Sequence, residues 1–293
     1  MNKSIFIIGA NGVVGSILSE KLQRHDFELH FGHRAKEGES IFNRSFIKSD
    51  LIINLAYDLS DKDIEFLENF DGPVLDATSR YRTNPGWIYG LPNISDNDNK
   101  VFGAKRVSNP GCFSQAGIIL LLPLLAEGIL DRYHSFVTLQ AIGGYSSAGK
   151  PAYALVEKNE YHSHAHSFTK PHPHHEEIKH HSKFKGVLEF NPISAEFERG
   201  TFVKMAVPMQ LALLSEIEYV YRKYYSGQDI EFKKIPHKIP LDEYNGREGA
   251  TLYAGEMPEI SCVNIAIHFD NLLKGAASTA FKNVCAMLKL EGK

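Results

Sequence analysis

Ile5 to Ile8 form an unbroken apolar run. It is followed at once by Gly9-x-x-Gly12-x-x-Gly15, after which Val14, Ile17, Leu18 and Leu22 recur at helical spacing. A continuous apolar run marks a parallel strand covered on both faces. The glycines let the chain turn tightly and approach a pyrophosphate, whose charge meets free N–H groups at the helix start. Glycines also occur at ordinary strand–helix turns; the position after the first strand of the chain favours the nucleotide reading. Further strands are read at Leu51–Ala56 and Pro73–Thr78, with a helical stretch between them. Strands alternating with helices give an open parallel sheet. Ligands bind beyond the carboxyl ends of such strands, so Thr78, Ser79 and the residues after Val107, Asn109 and Cys112 among them, belong to one crevice edge.

The end of the second strand bears on the cofactor. An acid for the ribose hydroxyls is usual at an NAD site, whereas this chain has Gly32-His33-Arg34-Ala35-Lys36. A guanidinium and an ammonium there suit a 2′-phosphate, which favours NADP. The alternative is a solvated basic loop, its charge diluted by Glu37.

Composition excludes several classes. The net charge of −3 over 293 residues, with no dense Lys/Arg block, argues against a dedicated nucleic-acid binder. Three cysteines make no disulfide framework and favour a reducing, cytoplasmic compartment. The opening Met-Asn-Lys-Ser and its apolar run stop at Gly9-Ala10-Asn11-Gly12, unlike a signal peptide. The longest apolar window, Ala116 to Leu125, is about half the ~20 residues a membrane helix needs, and Pro123 interrupts it.

Within Ser108-Asn-Pro-Gly-Cys112-Phe-Ser-Gln-Ala-Gly117, the cysteine stands at the entrance to that window rather than inside it. If a helix starts just after Cys112, its free N–H groups and dipole favour a thiolate and pull a thiol down from about 8.5 toward neutrality. A small buried residue at a strand–helix junction is the other reading. A nucleophilic thiol on a nucleotide fold points to hydride reduction of a thioester, which needs an imidazole for proton transfer. Eight of the fourteen histidines fall between His162 and His181. They do not make a zinc-protease motif, because His175-Glu-Glu-Ile is followed by Lys179 where a histidine would be needed. No metal site is assigned, and most of these histidines are read as polar surface.

Five blocks, in order along the chain, resemble those of the N-acetyl-γ-glutamyl-phosphate reductase family in its shorter form. They are Asp76-Ala-Thr-Ser-Arg-Tyr-Arg-Thr-Asn-Pro-Gly-Trp-Ile-Tyr-Gly-Leu-Pro92, Asn109-Pro-Gly-Cys-Phe-Ser-Gln-Ala-Gly117, Gly143-Gly-Tyr-Ser-Ser-Ala-Gly-Lys150, Pro171-His-Pro-His-His-Glu-Glu-Ile178 and Phe269-Asp-Asn-Leu-Leu-Lys-Gly-Ala-Ala-Ser-Thr-Ala-Phe-Lys-Asn283. The resemblance implies a Rossmann-type doubly wound parallel sheet over 1–111. It further implies an α+β catalytic domain with a mixed or antiparallel sheet over 112–269, and a C-terminal helix, 270–293, that returns to the Rossmann domain. It implies NADPH-dependent reduction of N-acetylglutamyl 5-phosphate to the semialdehyde in arginine biosynthesis, by a homo-oligomer (dimer or tetramer). Carried over by position, Cys112 is the nucleophile and His174 the general acid/base. Gly9, Asn11, Gly12, Val13, Val14 and Gly15 hold the cofactor phosphates, Arg34 and Ser79 contribute to the cofactor site, and Asn271 comes near the nicotinamide. The small-molecule acyl phosphate meets Asn109 and the cations Arg82, Lys150 and Arg199, each of which could instead serve a surface salt bridge.

Departures from the pattern are Ser114 for a proline, Glu176 for the proline before Glu177, Ser147 and Ala148 for glycines, and Leu273 for the glycine of Asn-Leu-Gly-Lys. None removes a reacting atom. Three alternatives stay open: a sister reductase of carrier-linked aminoadipyl phosphate or aspartyl phosphate, an inactive NADP-binding paralogue, which the substituted glycines keep alive, and a metal hydrolase built on the histidines.

Overall fold

A computed structural model describes residues 3–32, 40–42, 46, 48–94, 97–244 and 246–290, with 97 and 98 as backbone only. The chain divides into two compact units, 1–110 with 276–293, and 111–275.

The first unit begins with β1 (Ser4–Ile8), α1 (Val13–Gln23), β2 (Glu28–Gly32), β3 (Leu51–Asn54), α2 (Asp61–Asn69), β4 (Val74–Asp76), β5 (Ile88–Tyr89), α3 (Asn97–Val101) and β6 (Arg106–Ser108). Its sheet runs β2-β1-β3-β4-β6-β5, all parallel. β1 shows why the apolar run is continuous. Ile5 and Ile7 join a core with Leu18 and Leu22 of α1 on one face; Phe6 and Ile8 join Ile52, Leu67 and Val74 on the other. With helices on both faces this is the doubly wound sheet expected. Register sets Ile8, Asn54, Asp76 and Ser108 in one row at the carboxyl ends of the strands.

The second unit continues with α4 (Cys112–Ala126), β7 (Phe136–Gly144), α5 (Lys150–Glu157), β8 (His164–Ala165), α6 (Pro173–Ser182), β9 (Val187–Ala195), β10 (Thr201–Pro208), α7 (Leu214–Tyr224), β11 (Ile230–Lys234), β12 (Ala250–Met257) and β13 (Cys262–Phe269). Its mixed sheet runs β11-β12-β13-β10-β7-β9-β8. β9 and β10 alternate buried and open positions, the mark of strands packed on one face, and β13 is buried throughout. α4 is apolar nearly all round, and all but three of its residues are buried, so the longest apolar window is a core helix. Among the described residues no helix is long and apolar enough to cross a membrane.

α4 also runs through Pro123, which has no N–H to give the carbonyl of Ile119. The Tyr225 hydroxyl donates to that oxygen at 2.7 Å, and the Tyr221 hydroxyl donates to Leu120 O. Burial pushes both phenols well above the usual range.

The chain then returns to the first unit as α8 (Ser278–Met287), which places Ala280, Phe281, Val284, Cys285 and Met287 in the core behind β1. Residues 270–275 stay with the second unit for a local reason. Asp270 accepts the N–H groups of Leu272, Leu273 and Gly246, and Gly275 N–H closes a wide turn on Asp270 O at 3.0 Å.

Candidate active site

In the first unit the glycine turn closes on itself, with Gly12 N–H donating to Gly9 O at 2.9 Å and Gly9 at φ +83°. α1 starts with Gly12 as its cap, no capping side chain and no acid in its first turn. Its first helical bond is Ser16 N–H to Gly12 O, so the N–H groups of Val13, Val14 and Gly15 face outward from the helix start. A Cβ on Gly15 would lie 2.3 Å from Gly9 O and 2.8 Å from Ala10 Cα. Donors, no negative charge and no room for a side chain together fit a dinucleotide pyrophosphate. Asn11 is exposed at the tip of the turn. Arg34, the residue expected to choose between NADP and NAD, lies outside the described residues.

A cavity of about 230 Å³ opens at the ends of β3 and β4, lined by Asn54, Ala56, Tyr57, Thr78, Ser79 and Arg80, so Ser79 stands on its wall. Beneath it Asp76, fully buried, accepts from Asn54 Nδ2 at 2.7 Å, Thr78 N at 2.8 Å and Thr78 Oγ1 at 2.6 Å. Burial pushes its carboxyl up and these donors oppose the rise.

Arg82 and Asn109, the substrate ligands that the family resemblance implies, are both buried. Arg82 donates from Nε to Asn109 O and from Nη2 to Ala77 O, each at 2.9 Å. The Asn109 amide donates to Ala276 O at 3.3 Å, and its carbonyl accepts from Asn283 Nδ2 at 3.0 Å. As placed, the two side chains pin the chain after β6 to the strand ends and to the α8 segment. Arg82→Met is accordingly expected to lower unfolding stability by about 3 kcal/mol, because it strips donors from buried carbonyls. Denaturant titration with a KM measurement checks this; a raised substrate KM at unchanged stability would restore the ligand role.

In the second unit Cys112 is the first residue of α4, capped by Gly111 in extended conformation with no side-chain cap. Gln115 N–H makes the first helical bond, to Gly111 O, which leaves the N–H groups of Cys112, Phe113 and Ser114 at the helix mouth. The cysteine is partly exposed and forms no disulfide. Three contacts fix this helix start. Gly111 N–H donates to Glu177 Oε1 of α6 at 2.9 Å, Gln115 Nε2 donates to Gly275 O at 2.8 Å, and a Cβ on Gly275 would sit 2.8 Å from Cys112 Cβ. The Phe113 ring stands edge-on to the His174 ring, centroids 5.9 Å apart. α4 and α6 pack together, and Gly117 leaves the space that Ile178 fills. The structure therefore gathers Cys112 and His174 at adjoining helix starts.

Asn271 uses both ends of its amide within this unit, accepting from Gly200 N at 2.8 Å and donating to Ser146 Oγ at 2.9 Å. It ties the loop after β7 to the start of β10. Ser147, one of the departures, donates its hydroxyl to Gly144 O at 2.8 Å. Lys150 is exposed in the first turn of α5. Arg199 lies between two carboxylates, Nε 3.4 Å from Glu198 Oε1 and Nη1 3.9 Å from Asp270 Oδ2, and its Nε makes no hydrogen bond. Tyr153 donates to Glu198 at 2.9 Å; burial, then Glu198, push that phenol up to about 12. Among the described residues no group of three His, Cys, Asp or Glu side chains could hold a metal ion, and the histidine row makes none.

Sequence reasoning missed Glu177, Gln115 and Gly275. All three lie inside the blocks quoted for their reacting residues, but a role in holding a helix start leaves no spacing signature.

A nucleotide-type glycine turn on one unit and a cysteine-led helix on the other define a semialdehyde dehydrogenase type of protein. The family model described as "Semialdehyde dehydrogenase, dimerisation domain" matches residues 112–267. The fold agrees with aspartate semialdehyde dehydrogenase II of Vibrio cholerae, with a TM-score of 0.75 at 15% identity and 99% of each chain covered. It agrees also with the Candida albicans aspartate semialdehyde dehydrogenase solved with NADP, with a TM-score of 0.69 at 14% identity and 99% of each chain covered. In sequence the chain is 30% identical to the N-acetyl-gamma-glutamyl-phosphate reductase of Rhizobium johnstonii, over 98% of this chain and 99% of that protein. It is 27% identical to that of Brucella ovis, with the same coverage. The chain belongs to the N-acetyl-gamma-glutamyl-phosphate reductase family.

Proposed function

We propose that the protein reduces N-acetyl-L-glutamyl 5-phosphate to N-acetyl-L-glutamate 5-semialdehyde with NADPH, through a thioester on Cys112. The observation that carries this reading is the placement of Cys112 at the open start of α4, with His174 beside Phe113. The Cys112 thiolate attacks the acyl carbon, phosphate leaves, and the acyl group remains on sulfur. The N–H groups at the start of α4 meet the oxyanion. NADPH, when bound with its phosphates at the Gly9–Gly15 turn, would supply the hydride that reduces the thioester. His174 protonates the resulting oxyanion and takes the proton back as the thiohemiacetal breaks down, which frees aldehyde and thiolate. Of the cations read from sequence, Lys150 is exposed in the first turn of α5, whereas Arg82 is spent on backbone carbonyls. The description of the matched domain supports a homo-oligomer, and the three cysteines, none in a disulfide, support a reducing cytoplasmic setting.

The test is the reverse reaction. Supplied with phosphate, NADP and a panel of semialdehydes, the protein should generate reduced cofactor fastest with the N-acetylglutamate compound. A preference for aspartate semialdehyde would assign it to the sister activity instead. His174→Asn should lower kcat by about 10²–10⁴-fold with the fold preserved. Greater damage from His172→Asn would move the acid/base role one step along the pair.

A further inference from the structure

The histidine-rich segment is the feature that the proposed chemistry leaves unexplained. It forms a row of rings. His164 and His166 lie 5.9 Å apart, His166 and His172 5.3 Å, and His172 and His174 4.5 Å, with Phe190 of β9 packed 5.6 Å from His172. His164 is exposed, and His166, His172 and His174 are half-buried. His172 occupies a particular place in this row. It is the N-cap of α6 in extended conformation, and its Nδ1 accepts the backbone N–H of His174 at 3.2 Å.

We propose that His172 is a titratable helix cap that positions His174, so that the site works only while the His172 imidazole is neutral. The proposal rests on the reading of His174 as the general acid/base. N-caps are ordinarily Ser, Thr, Asp or Asn, whose oxygens accept at any pH near neutrality. An imidazole accepts only through an unprotonated nitrogen, and both nitrogens of an imidazolium are donors. Protonation of His172 therefore turns the cap bond into two opposed donors and loosens the first turn of α6, which carries His174. The new charge would also stand one ring away from the imidazolium that His174 must become during turnover, and like charges disfavour each other.

The groups near the row include its own imidazoles, the Tyr161 ring 5.9 Å from His164, Glu196 3.9 Å from His162, and Glu176 3.2 Å from His175. Burial, then the neighbouring His164, hold His166 below the ordinary histidine value. Sign follows from this arrangement: activity is present at pH above the titration of His172 and is lost as pH falls through it.

The experiment compares His172→Asn and His172→Ala in phosphate-dependent oxidation of the semialdehyde from pH 5.5 to 8.5. Asparagine keeps an accepting oxygen at the cap and does not titrate. His172→Asn should retain most of kcat at pH 8, with its acid limb moved to lower pH. His172→Ala should lose about tenfold in kcat at pH 8 with cofactor KM unchanged. Long-range ¹H–¹⁵N spectra of the imidazoles should show Nδ1 of His172 as the bare nitrogen at pH 8. A protonated Nδ1 at pH 8, equal losses in both variants at pH 8, or wild-type acid limbs in both would overturn the proposal. Wild-type turnover in His174→Asn would instead remove the acid/base reading, while the nitrogen spectrum would still decide whether His172 caps the helix.

Discussion

A Cys112→Ala variant is expected to lose turnover by about 10⁴-fold or more while binding NADPH as the wild type does. The size follows from the role: a covalent nucleophile has no substitute, and its removal costs most of the catalysed rate. The selectivity follows from the chain. The phosphate cradle is closed by the Gly12-to-Gly9 bond and the start of α1, in the first unit, whereas Cys112 belongs to the second. Steady-state assay and fluorescence titration of NADPH are the two measurements; lost cofactor binding would contradict this division. Alkylation of the wild type gives an independent check. Cys262 and Cys285 are buried and Cys112 is partly open, so Cys112 should be modified first. Uniformly slow labelling would leave a protein that binds the cofactor without reacting.

Gly15→Ala is expected to produce the opposite pattern. A methyl group there would lie 2.3 Å from Gly9 O and 2.8 Å from Ala10 Cα and Ala10 O, all backbone atoms that no rotamer change can move away. The turn must open, and the N–H groups facing the pyrophosphate then separate. NADPH affinity should fall by about 100-fold or more, and stability by about 1–3 kcal/mol from overpacking. The rate of Cys112 alkylation should be unchanged, since α4 is held by Glu177 and Gly275 within its own unit. Titration of the variant with NADPH decides it; affinity within twofold of the wild type would mean that the cofactor does not use this turn.

The features legible in the sequence are those that obey a local rule. The parallel sheet was legible at Ile5–Ile8 because burial on both faces leaves an unbroken apolar run, and the crevice at the strand ends follows from topology. The start of α4 at Cys112 was legible because the Asn-Pro-Gly turn precedes a long apolar helix. Side chains that hold distant backbone were not. Arg82 reads as a loose cation in a motif, and only the fold brings the carbonyls of Ala77 and Asn109 to it. Asn271 was expected near the nicotinamide, and in the fold its amide joins Gly200 to Ser146. Glu177 was noticed only for the proline missing beside it, although its oxygen receives Gly111 N–H across 66 positions. Pro123 reads as an interruption, and Tyr225, just past the end of α7, supplies the donor that the proline lacks.

The return of α8 to the first unit has a consequence for vectorial synthesis. Residues 111–275 are a contiguous block, fully synthesised once Gly275 leaves the ribosome, whereas the amino-terminal block still awaits residues 276–293. Until then the face of β1 that bears Ile5 and Ile7 lacks Ala280, Phe281 and Val284. The part made first is thus completed last, and its exposed hydrocarbon is where nascent chains would meet holdase chaperones.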